Sequence, residues 1–554
     1  MTDLLMTPVL ANIMVEKLGL LVPEIILFCA TVAVMVLGGS PNAAFRRSCG
    51  TVTLAALVAA GVAALVHRPE LIGSPLPGIM GFAKPLIAAV GVLLVLLVSG
   101  TVDRDYELSL ARTGAKFQSI RTNRGEFYAF FLFSLTGLML CTTADDLIWL
   151  FLALELTSLP TYVMVSISSA RSQSQEAGVK YFFLGAFGAA IFLYGFAMLY
   201  GEAGTTLIFG PEGTTSIASV FAAQTASGEG IGMIGMLGLI LAIVGVGFKI
   251  AAVPMHFYTP DVYQGASTSV AAFLAFVPKF AGFIAIILLL STVGWLHGDS
   301  GNALPEVLRV LLWIMAALTM TVGNVLALLQ SSVKRILAYS SVAHSGYILV
   351  AVIAGPHAGD TLAGNGLAAV LFYLLCYGFM NLGAFAVLAC LQKRTSAGEI
   401  EEIETVDDLR GLCTSHPLMG WTMVLCAASL LGLPPLLGFF GKFFLFTSAI
   451  NAGEIALVVV LGINSAIAAF YYLRLVALPL LEDPDDRTRE FRLVAIPSRR
   501  LAAVLSAASV VVLVPFVGTL MRASDTATRF DESALVSDAE SDPQTALVTH
   551  DADE

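Results

Sequence analysis

Runs of about 20 mostly apolar residues recur along this chain from Leu18 to Met521, each long enough to cross about 30 Å of hydrocarbon as one α-helix. About fourteen such runs can be marked, and they dictate a multi-pass bundle in a lipid bilayer. Composition agrees: 57% of the 554 residues are hydrophobic and only 12% are charged. Soluble domains carry about 25% charged residues. The seventh and twelfth runs, 229–262 and 417–450, are too long for a single crossing, and each holds a central lysine and prolines.

The first run follows acidic Asp3 and Glu16 without a basic stretch or a small-residue cleavage pattern, so it is expected as a retained helix rather than a signal peptide. The seven cysteines are dispersed and mostly fall inside apolar runs, with no CxxC and no Cys/His ligand spacing. That pattern supports neither a metal or iron–sulfur site nor a disulfide framework. No glycine-rich phosphate loop argues for a nucleotide. Lysine and arginine concentrate in the odd-numbered connections, among them Arg46, Arg47, Arg104, Arg112, Arg124, Arg171, Lys334, Arg335, Lys393 and Arg410. By the positive-inside rule both termini are expected outside the cytoplasm, which suits an even number of crossings in a cell (inner) membrane. Residues 523–554 form an expected disordered acidic tail, and the acidic stretch EIEEIETVDD at 399–408 is expected to be a solvated loop.

Five ionisable residues interrupt the apolar runs several residues from their ends: Glu155 in LFLALELTSLP, Lys249 in GVGFKIAAVP, Lys279 in AFVPKFAGF, His344 in SSVAHSGYI and Lys442 in GFFGKFFLF. An ion at the bilayer centre costs roughly 3 kcal/mol or more, so these residues must face one another or water. A Glu155–Lys249 pair that merely fixes packing accounts for two of them. Lys279, His344 and Lys442 outnumber the intramembrane carboxylates, and a lysine whose charge is not held by a counter-ion can carry a proton. Histidine titrates near neutral pH, and Ser340, Ser341, Ser345 and Tyr347 can hold ordered water, so the set suggests a lateral proton relay. Glu24, Lys84, Arg309 and Arg474 lie near the ends of their runs and are expected at the interface.

Pro254 follows Lys249 by five residues and breaks its run, as Pro434 and Pro435 break the run that holds Lys442. Freed backbone carbonyls are tolerable at membrane depth only where they line an enclosed wet cavity, and matching broken segments in two halves point to inverted repeats around an ion path. The expected architecture is therefore all-α and membrane-integral, with runs 4–8 and 9–13 as two inverted five-helix repeats, each with a discontinuous helix. In residues these are a three-helix segment and loop at 1–127, repeats at 128–291 and 303–480, a final helix within 481–522 and the tail at 523–554.

The ordered motifs RGEFYAFFLFSLTGLMLCTTADDLIWLFLALELTSLPTYVMV, FYTPDVYQGAST, VPKFAGF, SSVKRILAYSSVAHSGY, DLRGL and GLPPLLGFFGKFFLF give the chain a resemblance to the antiporter-like subunits of respiratory complex I, the proton-pumping NADH:quinone oxidoreductase. The resemblance spans roughly 18–521 and departs from the family at Tyr258, at Ser267-Thr268 and in the extended loop 102–125. It implies a translocase subunit in which Glu155 and Lys249 form a first charge pair, Lys279 and His344 a central relay and Lys442 the terminal protonatable site. It also implies neighbouring antiporter-like and small membrane subunits as partners, with FMN, iron–sulfur clusters, NADH and the quinone site in other chains and no redox centre, cofactor or metal here. Two rivals are a subunit of a multisubunit cation/proton antiporter or membrane-bound hydrogenase, and a structural spacer whose relay is inactive.

Overall fold

The computed structural model describes residues 18–67, 71, 73–113, 116–169, 171–211, 213–228, 230–298, 303–356, 363–394, 400–484 and 491–531. Helices dominate: α1 Val22–Gly38, α2 Ala43–Val66, α3 Ile79–Val98, the short α4 Arg104–Thr113, α5 Arg124–Cys141, α6 Leu147–Ile167, α7 Ser172–Ala203 and α8 Ile217–Ala226. They continue with α9 Met233–Val246, α10 Thr259–Gly265, α11 Thr268–Ser291, α12 Glu306–Leu328, α13 Val333–Ala354, α14 Gly366–Cys390, α15 Pro417–Leu431, α16 Leu437–Asn451, α17 Ile455–Leu481, α18 Pro497–Val512 and α19 Val517–Ala527.

Among the described residues nine helices are each long and apolar enough to cross a membrane, and the pair α18 and α19, bent by 49°, makes a tenth. The difference from about fourteen expected crossings has a local cause. Both overlong runs are divided, the first into α9 and α10 around Val253-Pro254, the second into α15 and α16 around Pro434-Pro435. α1 is only 17 residues long, and α5 starts among charged residues, Arg124 and Glu126.

The centre of the bundle is α11, α13 and α14. α11 and α13 are buried along their whole apolar length and α14 almost so. A helix apolar on every side has to be enclosed. α1, α2, α7, α12 and α17 surround these three and turn side chains such as Phe182, Phe183 and Phe187 outward. α7 and α9 approach closely through small residues, the usual device where helices lack a hydrophobic drive to associate. A Cβ at Gly195 would lie 2.5 Å from the Ala242 nitrogen, and one at Gly245 2.4 Å from that of Phe192.

One three-stranded sheet, in the order β2-β1-β3, departs from the helical plan: β1 Leu391–Arg394, β2 Ile400–Glu402 and β3 Arg492–Leu493, all antiparallel. The described part of the acidic stretch expected as a solvated loop is thus built in, because Glu402 and Asp408 have partners. Glu402 accepts from Lys334 Nζ at 2.8 Å and from the Thr268 hydroxyl, and Asp408 accepts from Lys393 Nζ at 3.1 Å and from the backbone N–H groups of Glu404 and Thr405. Burial would raise the Glu402 carboxyl, but the Lys334 charge, the hydrogen bonds from Lys334 and Thr268 and the charge of Arg499 carry it down to about 2.

The end of the chain also differs from expectation. α19 runs to Ala527 and the chain stays docked through Asp531, inside the stretch expected to be disordered from 523. Ser524 donates to the Ala368 carbonyl at 2.7 Å, Asn365 donates to Asp525 at 3.0 Å, and Phe530 packs on Trp295 at 5.9 Å. Residues 532–554 lie outside the described residues.

Two outcomes follow. Gly195→Val forces α7 from α9 and is expected to cost about 1–3 kcal/mol, read as a lower thermal midpoint of the detergent-solubilised protein, whereas Gly201→Ala, which meets nothing within 4 Å, is neutral. The folded carboxyl of Glu402 lies below its ordinary value of 4.5, so the stability it contributes is complete above that pH and is lost as pH falls toward 2. Amide-exchange protection of β1 should decline across that interval, and the decline should be absent in Glu402→Gln.

Candidate functional site

α9 ends at Val246, and the chain then winds through irregular turns to α10 at Thr259. Proline has no backbone N–H to donate and disfavours helix at the preceding residue, so the break at Val253-Pro254 is written in the sequence. Its loosened backbone groups are taken by neighbours. Val253 N–H donates to Thr319 Oγ1 on α12 at 2.9 Å, and the Ile250 carbonyl accepts from Ser345 Oγ on α13 at 2.5 Å. The Tyr258 hydroxyl donates to the Phe248 carbonyl at 2.9 Å.

Lys249 sits in this break. An ammonium has three donors, and here all are used: Glu155 Oε1 on α6 at 2.9 Å, Ser158 Oγ at 2.5 Å and the Leu154 carbonyl at 3.4 Å. The lysine side chain is 1% exposed and the carboxylate 16%. The expected Glu155–Lys249 pair is therefore formed, with the acid as its more open member.

Lys279 follows Pro278 in α11 and has no carboxylate partner among the described residues. Its Nζ donates to both the hydroxyl, at 2.6 Å, and the carbonyl of Ser341 on α13, and lies 5.0 Å from the centre of the Tyr377 ring. Ser345 also donates to the Ser341 carbonyl at 3.3 Å, so one hydroxyl joins the Lys249 break to the oxygen that holds Lys279.

His344 lies one turn from Ser341 on the same helix and is fully buried. Its Nδ1 is bonded to the Tyr373 hydroxyl, and its Nε2 to that of Tyr472 at 2.8 Å; Tyr472 is in turn bonded to Ser340. A neutral imidazole has one donor and one acceptor, so one tyrosine donates while the other accepts. Tyr347 and Tyr377 stand 5.4 and 5.2 Å from the imidazole. Lys442, on α16, donates to the Leu431 carbonyl at 2.8 Å, closing the C-terminal end of α15, and lies 5.3 Å from the Tyr347 ring. Asn324 Nδ2 donates to the Tyr347 hydroxyl at 2.8 Å.

Lys249, Lys279, His344 and Lys442 thus sit buried in the bundle with Glu155 half-buried against Lys249, but Lys279 and His344 do not touch. Ser341 and Tyr377 stand between them, and Tyr347 stands between His344 and Lys442. These tyrosines, with Tyr373 and Tyr472, are what the sequence reading did not single out as a group. In apolar helices an aromatic residue reads as packing, and only the spacing of Tyr373 and Tyr377 on one helix face hinted at a shared role.

Glu24 and Lys84 require a correction. They were expected at the interface, but Lys84 Nζ lies 2.8 Å from Glu24 Oε1 and donates to the Leu20 carbonyl at 2.7 Å, with both side chains at most 5% exposed. The Lys84 side chain reaches from α3 to the start of α1, so the two charges bury each other. Arg309 fits its expected place, part-exposed and paired with Glu454 at 2.5 Å and Glu306 at 3.2 Å.

Residues 144–468 match a family model described as NADH:quinone oxidoreductase/Mrp antiporter, TM. A protein of Trichlorobacter lovleyi named NADH-quinone oxidoreductase subunit N is 36% identical over 498 residues, covering 89% of this chain and 93% of that one. A chain of respiratory complex I from Thermus thermophilus superposes with a TM-score of 0.70 at 31% identity over 91% of this chain and 99% of its own length. A chain of the Mrp complex from Dietzia sp. superposes equally well, at 0.70, but at 20% identity, which speaks for the fold alone.

The Glu155–Lys249 pair yields a stability test. Leaving one buried charge without the other costs about 3–5 kcal/mol, more than replacing both. Thermal midpoints of Glu155→Gln and Lys249→Met are expected each to fall below that of the double variant; a double variant as unstable as the sum of the two means that the charges are uncoupled.

Proposed function

The chain belongs to the NADH:quinone oxidoreductase/Mrp antiporter transmembrane family, and from that premise we propose that it translocates protons as the subunit N type within an NADH:quinone oxidoreductase. Support for the N type comes from the GEFYAF opening, lysine rather than glutamate in GFFGKFF, and relatives of that name at 36 and 38% identity. The complex is a membrane assembly, so the outward apolar faces of this chain meet lipid and neighbouring membrane subunits.

In this reading the chain crosses a bacterial cell membrane about fourteen times with both termini outside, and its two five-helix repeats each contribute one broken helix beside a lysine. NADH, FMN, iron–sulfur clusters and quinone act in partner chains, and this subunit holds and moves protons. Glu155 and Lys249 respond to charge at one end of the path, Lys279 and His344 carry the proton across the middle through Ser341 and the tyrosine hydroxyls, and Lys442 hands it on. The observation that carries the reading is the company of the two inner lysines: among the described residues Lys279 and Lys442 are bonded to neutral oxygens only. Neither ammonium has a carboxylate against it of the kind that Glu155 places against Lys249. Moving one charge against 100 mV costs about 2.3 kcal/mol, within reach of a neighbouring charge changing in a poor dielectric.

The antiporter reading shares this fold, and copurification with flavin and iron–sulfur subunits separates the two. NADH-driven proton uptake in membrane vesicles tests the relay itself. Lys442→Ala is expected to lower uptake to under about a tenth of wild type, as loss of a proton-transfer group does, while NADH oxidation by an artificial acceptor and assembly persist. Unchanged uptake with intact assembly would make the chain a spacer.

A further inference from the structure

At the end of the bundle that carries α4 and the sheet, a cavity of about 800 Å³ opens between α4, α11, α13 and the start of α18. Among the described residues five cations line it, Arg104, Arg112, Arg171, Lys334 and Arg499, against one carboxylate, Glu402. Lys334 is paired with Glu402, and Arg499 is buried with its N–H groups on the carbonyls of Ser99 and Ala389 and the hydroxyl of Thr101. Arg104, Arg112 and Arg171 form no ion pair among the described residues. The positive-inside rule accounts for basic loops on one side of a membrane protein. It does not account for three unpaired arginines from two separate connections converging on one cavity.

A second cavity, of about 310 Å³, shares Gly100 and Thr101 with the first and runs between α2 and α3 along Leu54, Val95 and Leu96. Arg47 and Arg124 also line it. α2 turns much of its length outward, Val58, Val62 and Leu65 being about half exposed, so this cleft opens beside the lipid-facing surface. A soluble anion would need the basic cavity alone and would gain nothing from an apolar cleft beside it. A molecule with an anionic head and a hydrocarbon tail uses both.

We propose that the two cavities together seat an anionic phospholipid, its phosphate against Arg104, Arg112 and Arg171 and an acyl chain along Leu54, Val95 and Leu96. Under the orientation proposed above this is the cytoplasmic face, where anionic lipids draw basic residues with about 1 kcal/mol each. The lipid also offsets the excess positive charge that would otherwise repel protons from this end of the bundle.

The test uses the whole membrane complex, washed in detergent and examined by native mass spectrometry for retained lipid, then titrated with phosphatidylglycerol, phosphatidylcholine or inorganic phosphate. Arg104→Gln/Arg171→Gln is expected to weaken phosphatidylglycerol binding by about 25-fold, about fivefold for each cation removed. Leu96→Trp, which fills the cleft and leaves every cation in place, is expected to lower retention of phosphatidylglycerol while leaving inorganic phosphate binding unchanged. Equal retention by wild type and both variants overturns the proposal, as does equal binding of phosphatidylcholine. Displacement of the lipid by millimolar phosphate with no effect of Leu96→Trp would assign the basic cavity to a soluble anion and likewise overturn it.

Discussion

The Lys279 ammonium rests on the hydroxyl and the carbonyl of one serine, Ser341, in the most enclosed part of the bundle, and the surrounding arrangement answers to that contact. A charge in hydrocarbon is costly unless oxygen replaces its water. A regular helix has already committed its carbonyls to its own N–H groups, so extra oxygen must come from side chains, from shared carbonyls or from places where a helix stops. This protein uses all three. Ser341 and Ser158 supply hydroxyls, the carbonyls of Ser341 and Leu154 are shared, and the helix end beside Lys442 releases that of Leu431.

That requirement explains why lysines and breaks travel together. Lys249 lies within the turns that separate α9 from α10, and Lys442 lies one turn into α16, reaching back to the last carbonyl of α15. Each break would be a liability in lipid, where unpaired backbone groups cost several kcal/mol. Both are enclosed by α11, α13 and α14, and the hydroxyl of Thr319 takes up the N–H freed at Val253. At Lys249 and Lys442 enclosure, interruption and charge therefore occur together, while Lys279 is held on the continuous α11 by the oxygens of Ser341.

The apolar rhythm, the interrupted runs and the five buried ionisable residues were all legible in the sequence because each is a violation or fulfilment of a strong rule, that hydrocarbon excludes charge and unpaired backbone. What escaped was set by contact across the bundle. Glu24 and Lys84 each read as residues close to a helix end, and only the reach of the Lys84 side chain across to α1 makes them a buried pair. The acidic stretch around Glu402 read as solvated because the cation that holds Glu402, Lys334, lies on α13, 68 residues away, and Lys393 meets Asp408 only once the strands fold the connection back on itself. α19 extends to Ala527 because Ser524 and Asp525 find partners on and beside α14, which no local composition announces. The tyrosine cage was hidden for the same reason, since an aromatic ring in an apolar run looks the same whether or not its hydroxyl meets a histidine.

Glu402 binds the first residue of α11, Thr268, and the second of α13, Lys334. The helices that carry Lys279 and His344 are thereby stapled to one carboxylate at one end, and the staple is itself sewn into the sheet that joins the connections before α15 and α18. A shift of α13 past α11 by even one helical turn, about 5.4 Å, would tear out that staple and carry Ser341 away from Lys279. The two helices are therefore confined to moving as one body at that end, and whatever rearrangement accompanies a proton's passage is left to side-chain rotation and to the broken segments on either side.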